Sequence, residues 1–185
     1  MTERAEQLHA TVDGQVAGLI ALIATLDEAM LLLPCPGREK LGDGTVAASV
    51  RHTADNYERI AGFVQSCDRT SGALRPTPLG AHRIPRFLRN LGHGPSDHAA
   101  HDPSRRDHDD QRTADNLDLD AVMERLSASR HALDAVAELS DLQLDSIPPK
   151  DSFRFCDGQR TLEQVLAGLL KHQRHQLDAL RAVSL

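Results

Sequence analysis

Residues 161–182 read TLEQVLAGLLKHQRHQLDALRA. Leu162, Val165, Leu166, Leu169, Leu170, Leu177 and Leu180 recur there at three- and four-residue intervals. That spacing gathers side chains on one face of an α-helix. Thr161 stands ahead of the run with Gln164 three residues on, the pair that satisfies a helix start reciprocally as a capping box. The stretch therefore predicts an amphipathic helix that begins at Thr161. It also carries His172, His175 and Gln176. At about 100° per residue, Val165, Leu169, His172, Gln176 and Leu180 lie along one side. His172 and Gln176 are then an i,i+4 pair at the margin of the apolar stripe, and His175 is turned towards solvent.

The same periodicity recurs three times upstream. A first helix is expected over residues 3–33, with Leu8, Val12, Val16, Leu19, Ile20, Ile23, Leu26 and Met30 on its face, stopped by Pro34 and Pro36. A second opens at Thr45, a fitting N-cap after Gly-Asp-Gly, and runs through Cys67 on Val46, Val50, Tyr57, Ile60, Ala61 and Val64. A third covers 117–142 on Leu119, Val122, Met123, Leu126, Leu133 and Val136. No alternation of apolar and polar residues is long enough for a sheet. The reading is an all-α chain, a single four-helix-bundle domain over residues 1–185.

Two connections break the pattern. Residues 68–115 hold Pro76, Pro78, Pro85, Pro95 and Pro103, and only IPRFLRNL (84–91) has the makings of a helical turn. The tract GHGPSDHAAHDPSRRDHDD (92–110) mixes His93, His98, His101 and His108 with acids. A loop of this length inside one domain is either functional or disordered, and a mobile, His-rich crossover between the second and third helices is expected. Residues 146–158 differ. They carry IPPKDSFRFCDG, and Phe153 and Phe155 need somewhere to pack, so an ordered loop is expected.

Composition excludes several classes. A net charge of −6 and 3% aromatics without tryptophan leave neither a basic surface for phosphates nor stacking platforms for bases. No apolar run approaches the roughly 20 residues of a membrane span. Cys35, Cys67 and Cys156 are an odd, widely spaced set with no CxxC pair, and MTERAEQLHA has no export-signal pattern. A reduced, cytoplasmic protein is the expectation. Its partners would be a small-molecule substrate and a second copy of the chain, with neither nucleic acid nor membrane.

The chemistry concentrates on histidines. His52, within TVAASVRHTADNYERI (45–60), forms an i,i+4 pair with Asn56 beside the second helix's stripe. A helical bundle that sets His52 against His172 assembles two imidazoles in its core, with His175 and Gln176 at hand. Zinc, nickel or iron accepts neutral imidazoles and keeps water positions open for chemistry. The structural alternative is a set of hydrogen-bonded histidines, and Gln is a weak oxygen donor for such metals. Arg38, Lys40 and Arg51, near the opening of the second helix, suit a carboxylate or serve as solvated charges. Cys35 is a loop thiol between prolines. The pair His98 and His101, with Asp97, Asp102 and His108, offers a weak metal tract.

The order of four helices, the histidine in the second, and the terminal TLEQVLAGLLKHQRHQLDALRA resemble the DinB-like (YfiT-like) superfamily. The likeness covers the chain apart from its His-rich insertion, on short motifs. It implies a divalent metal held by His52, His172 and the residue at 176, where the family's pattern has histidine and this chain has Gln176. It also implies a metal-dependent thiol transferase or related isomerase that uses mycothiol, bacillithiol or a similar low-molecular-weight thiol on a small electrophile. A metal there would hold the thiol as thiolate. Two further readings stay open. One is a catalytically silent bundle that binds a small molecule or a protein, and the other is metal handling through the His-rich loop.

Overall fold

The computed structural model describes residues 2–39, 41–71 and 117–183, with backbone alone for 68–71. The expected crossover beyond residue 71, with its histidines, lies outside the described residues, as does Lys40. Among those described there are six α-helices and no strand. The helices are α1 (Glu3–Ile23), α2 (Glu28–Leu31), α3 (Val46–Ser71), α4 (Leu119–Leu133), α5 (Asp141–Leu144) and α6 (Leu162–Arg181). One isolated antiparallel bridge joins Pro34 to Thr45.

The helix starts follow from their side chains. Thr161 Oγ1 accepts the Gln164 amide at 3.3 Å, and Gln164 Oε1 accepts the Thr161 amide at 3.1 Å, the reciprocal box the sequence predicts for α6. Thr45 Oγ1 accepts the Ala48 amide at 3.2 Å and opens α3. Every stripe residue anticipated for α3 and α6 is buried. α1, α3, α4 and α6 pack on one another around that shared core.

Two expected helices are broken instead. The continuous helix over 3–33 ends at Ile23, where Thr25 Oγ1 takes the Leu22 carbonyl at 2.7 Å. Asp27 then starts α2 by accepting the Met30 amide at 2.8 Å. The helix over 117–142 gives way after Leu133 to a 3-10 turn at Asp134–Val136, and a Ser140–Gln143 capping box restarts the chain as α5. Leu133, Val136 and Leu139 are all buried. Their three-residue spacing suits a 3-10 repeat as well as an α-helix, so apolar periodicity alone missed the break. At the other end of the range α3 runs on to Ser71, four residues past the predicted Cys67.

Polar ties fix how α6 lies against its neighbours. Arg4 of α1 binds Glu163 at 2.6 Å and Asp145 at 2.7 Å. The Tyr57 hydroxyl donates to Gln15 Oε1 at 3.1 Å, and Gln15 Nε2 reaches the Leu170 carbonyl at 3.2 Å. This chain of bonds joins α3, α1 and α6 through the core. At Gly18 a Cβ would stand 2.9 Å from Arg181 Nη2 and 3.5 Å from Leu177 Cδ2, so α1 and α6 approach closely at that point.

Candidate functional site

Where α3 crosses α6, the apolar core is interrupted by side-chain amides and imidazoles. Gln173 and Gln176 are 1% and 3% exposed, among the few buried polar residues described. Gln173 Nε2 donates to the Thr53 carbonyl at 3.0 Å, and its Oε1 accepts Asn56 Nδ2 at 3.3 Å. Asn56 Nδ2 also donates to His52 Nε2 at 3.0 Å, as the i,i+4 spacing on α3 requires. On α6, Gln176 Nε2 faces His172 Nε2 at 3.2 Å. The two helices therefore hold two hydrogen-bonded polar sets, one around His52 and one around His172, coupled through the electrostatic interaction of the two imidazoles, inside a face that periodicity alone would make apolar.

Two loops bring cations to it. Residues 33–46 form a tight excursion in which the Cys35 amide donates to the Gly44 carbonyl and the Gly44 amide to the Leu41 carbonyl, each at 2.8 Å. Gly44 sits at φ 77°, where a Cβ would also press within 3.2 Å of the Glu39 backbone, so only glycine closes this turn without strain. The excursion carries Arg38. Residues 146–160 carry Arg154, whose Nη1 lies 3.3 Å from His172 Nε2. This loop is ordered by its aromatics, as anticipated. The Phe153 ring stacks on Phe63 at 4.6 Å, and the Arg154 guanidinium lies 5.2 Å from the centroid of the Phe155 ring. Phe155 itself takes φ 69°, a costly conformation for a bulky residue, and such conformations persist only where the surroundings enforce them.

The electrostatics of the cluster are one-sided. Burial first, then the Arg154 charge, holds His52 below the usual imidazole value, and Arg59 and Arg38 push the same way. Burial, Arg154 and Arg38 hold His172 down as well, with smaller contributions from His52 and His175. Both rings are thus neutral at pH 7. The Asn56 amide nitrogen faces His52 Nε2, and the Gln176 amide nitrogen and the Arg154 guanidinium face His172 Nε2; these nitrogens donate, so both Nε2 atoms act as acceptors. Among the described residues Asp55 is the carboxylate that offsets these charges at His52, and Arg125 already binds it at 2.7 Å. Among the described residues, the buried Gln176 Oε1 of the cluster and the buried Arg38 Nε have no hydrogen-bond partner.

The expected site residues fall into two groups. His52, His172 and Gln176 are brought to the cluster, and Arg38 acts on both imidazoles through its charge. His175 is exposed and acts on His172 through its charge alone among the described interactions. Arg51 is half-buried on α3, about 100° round the helix from His52, and Cys35 is 1% exposed within the core. Sequence reasoning missed Gln173 and Arg154. Gln173 had a signal, since it continues the stripe of Leu166, Leu169 and Leu170. Arg154 had none, because its place depends on how the aromatic loop folds back.

A divalent metal would draw on the two Nε2 atoms and on Gln176 Oε1. As arranged, both Nε2 lone pairs face N–H donors, and the neighbouring fixed charges are mainly guanidinium. Among the described residues no group of three His, Cys, Asp or Glu side chains is placed to hold an ion. The donor set fits an anion better than a bare dication. Among the described residues no helix is long and apolar enough to cross a membrane.

No family model matches the chain, and neither a curated protein nor a solved structure matches it.

Proposed function

We propose that the chain is a DinB-like four-helix bundle that handles a small anionic molecule at the His52–His172 cluster. The reaction this cluster suits is transfer of a low-molecular-weight thiol, mycothiol or bacillithiol among the candidates, to a small electrophile in a reduced, cytoplasmic setting. One observation carries the reading: the His52 and His172 imidazoles are both held towards the neutral form by burial and by the charges of Arg154 and Arg38, and Asp55, which offsets those charges at His52, is bound by Arg125. Positive charge favours thiolate over thiol, and a neutral imidazole is the form that accepts a proton. In the step envisaged, the S–H bond breaks as its proton passes to an imidazole, and the sulfur electron pair forms the new S–C bond while the electrophile's leaving group, chloride for an aryl chloride, departs with the electrons of the bond it breaks.

A second reading keeps the metal that the family resemblance implies. The unpartnered, buried Gln176 Oε1 favours it, because an ion is one group that would satisfy this oxygen. The catalytically silent binding module is the third, and the metal-handling loop lies outside the described residues. Elemental analysis of protein purified without a His tag separates them when combined with a thiol-consumption assay against an activated aryl chloride. Turnover by chelator-treated protein that falls at least tenfold in His172→Ala is the expected result. Turnover that returns only with one equivalent of zinc or nickel moves the function to the metal-dependent reading. Absence of turnover with every thiol rejects transfer.

A further inference from the structure

The hydrogen bonds between α3 and α6 have a fixed direction. The Thr53 carbonyl can only accept, so the Gln173 amide turns its Nε2 towards it, at 3.0 Å. Gln173 is 1% exposed, and a buried amide keeps the orientation that satisfies it. Its Oε1 then faces Asn56 and requires a donor there, which Asn56 Nδ2 supplies at 3.3 Å. The same Nδ2 carries a second N–H, which reaches His52 Nε2 at 3.0 Å. A backbone carbonyl of α3 thus dictates, through Gln173 and Asn56, which nitrogen of His52 bears the lone pair.

His172 is held differently. Its Nε2 faces Gln176 Nε2 at 3.2 Å and Arg154 Nη1 at 3.3 Å. The other end of that amide, Gln176 Oε1, has no partner among the described residues. Nothing described there fixes the amide as Thr53 fixes Gln173, and the Arg154 contact is exposed.

Other features of the molecule carry less. The apolar side chains left exposed at Leu32, Leu33, Leu142 and Ile147 have nothing beside them to define what would cover them. Cys67 and Cys156 interact, yet burial pushes both thiols above their usual value, which slows thiolate chemistry.

We propose that Gln173 is a positioning residue: anchored on the Thr53 carbonyl, it holds Asn56 so that His52 keeps its proton on Nδ1, which leaves His172 as the imidazole that takes the substrate's proton. For His52 to accept a proton at Nε2, the Asn56 amide must turn. That turn sets Asn56 Oδ1 against Gln173 Oε1 and leaves a buried acceptor without a donor, which is costly. At His172 the Gln176 amide can turn its unbonded Oε1 to a newly protonated Nε2 without breaking a second described bond. The S–H proton then lands on His172 Nε2, and the rest of the step is unchanged.

The division of roles between the two rings rests on the transfer reading, whereas the hold of Gln173 on the His52 tautomer does not. The experiment is imidazole nitrogen NMR on isotopically labelled, chelator-treated full-length protein near neutral pH, where long-range correlations separate the two neutral tautomers. Wild-type His52 is expected as a single Nδ1–H tautomer. Gln173→Met and Asn56→Leu should each introduce an Nε2–H population, and at His52 alone. An Nε2–H or mixed tautomer in the wild type, or an unchanged tautomer in either folded variant, would overturn the proposal. The wild-type spectrum decides even if neither variant folds. In the thiol-consumption assay His172→Gln should lower kcat about tenfold more than His52→Gln does, and equal losses would overturn the division of roles. Absence of turnover rejects transfer and that division together, while a single His52 tautomer upholds the relay. Turnover with a mixed wild-type tautomer does the reverse.

Discussion

At the scale of single residues, the site is defined by what His52 and His172 are denied. Each imidazole is half-buried, faces N–H donors at Nε2, and lies near Arg38 and Arg154. Their folded-state pKa values therefore fall below the unfolded value of about 6.5, so the unfolded chain binds more protons than the folded one. The associated stability is fully present above that pH and is lost as the pH falls from there through the folded values. Urea unfolding between pH 7.5 and 5 should show this loss, and the double variant His52→Gln with His172→Gln should lose less. An equal loss in the double variant would place the pH dependence elsewhere. Gln176 was legible as an i,i+4 partner of His172, and its bonding to His172 agrees with that spacing. Its near-complete burial was not legible, because helical phase places a side chain only to within a sector and does not say how closely a neighbouring helix covers it.

Among the elements, starts were easier to read than ends. Thr161 with Gln164 and Thr45 with Ala48 act as their local sequence dictates, since a cap is satisfied within four residues. The breaks at residues 24–27 and 134–140 were hidden, because Leu26, Val136 and Leu139 still turn inward and keep the apolar rhythm. Ser140 is the clearer test of such a break. Ser140→Ala removes one half of the α5 capping box and should cost about 1 kcal/mol in chemical denaturation, whereas a site in continuous helix would gain stability from alanine. The loop that carries Arg38 has a sharper requirement. Gly44→Ala meets both a left-handed backbone and the nearby Glu39 backbone, and should cost more than about 1 kcal/mol. It should also weaken anion binding through displacement of Arg38. Unchanged stability in Gly44→Ala would mean that this turn has another conformation in solution.

For the whole molecule, α1, α3, α4 and α6 close a core to which residues 92–110 offer almost no apolar side chain. Deletion of 92–110 should accordingly leave cooperative thermal unfolding with a midpoint within a few degrees of the full chain. Loss of cooperativity would show that the tract packs on the helices. The helical class was legible because four periodic stripes needed one another for burial. Arg154 was not, since its position beside His172 depends on Phe153 stacking on Phe63, a contact between distant parts of the chain. The site accordingly belongs to α3, α6 and two loops together, and of the two arginines that act on both imidazoles Arg154 has the larger effect on each. Histidine NMR titration of the wild type and of Arg154→Met tests this most directly. The account predicts that His52 and His172 both titrate below about 6.5 in the wild type and that both rise in the variant. A rise in only one ring, or in neither, would contradict a single shared site.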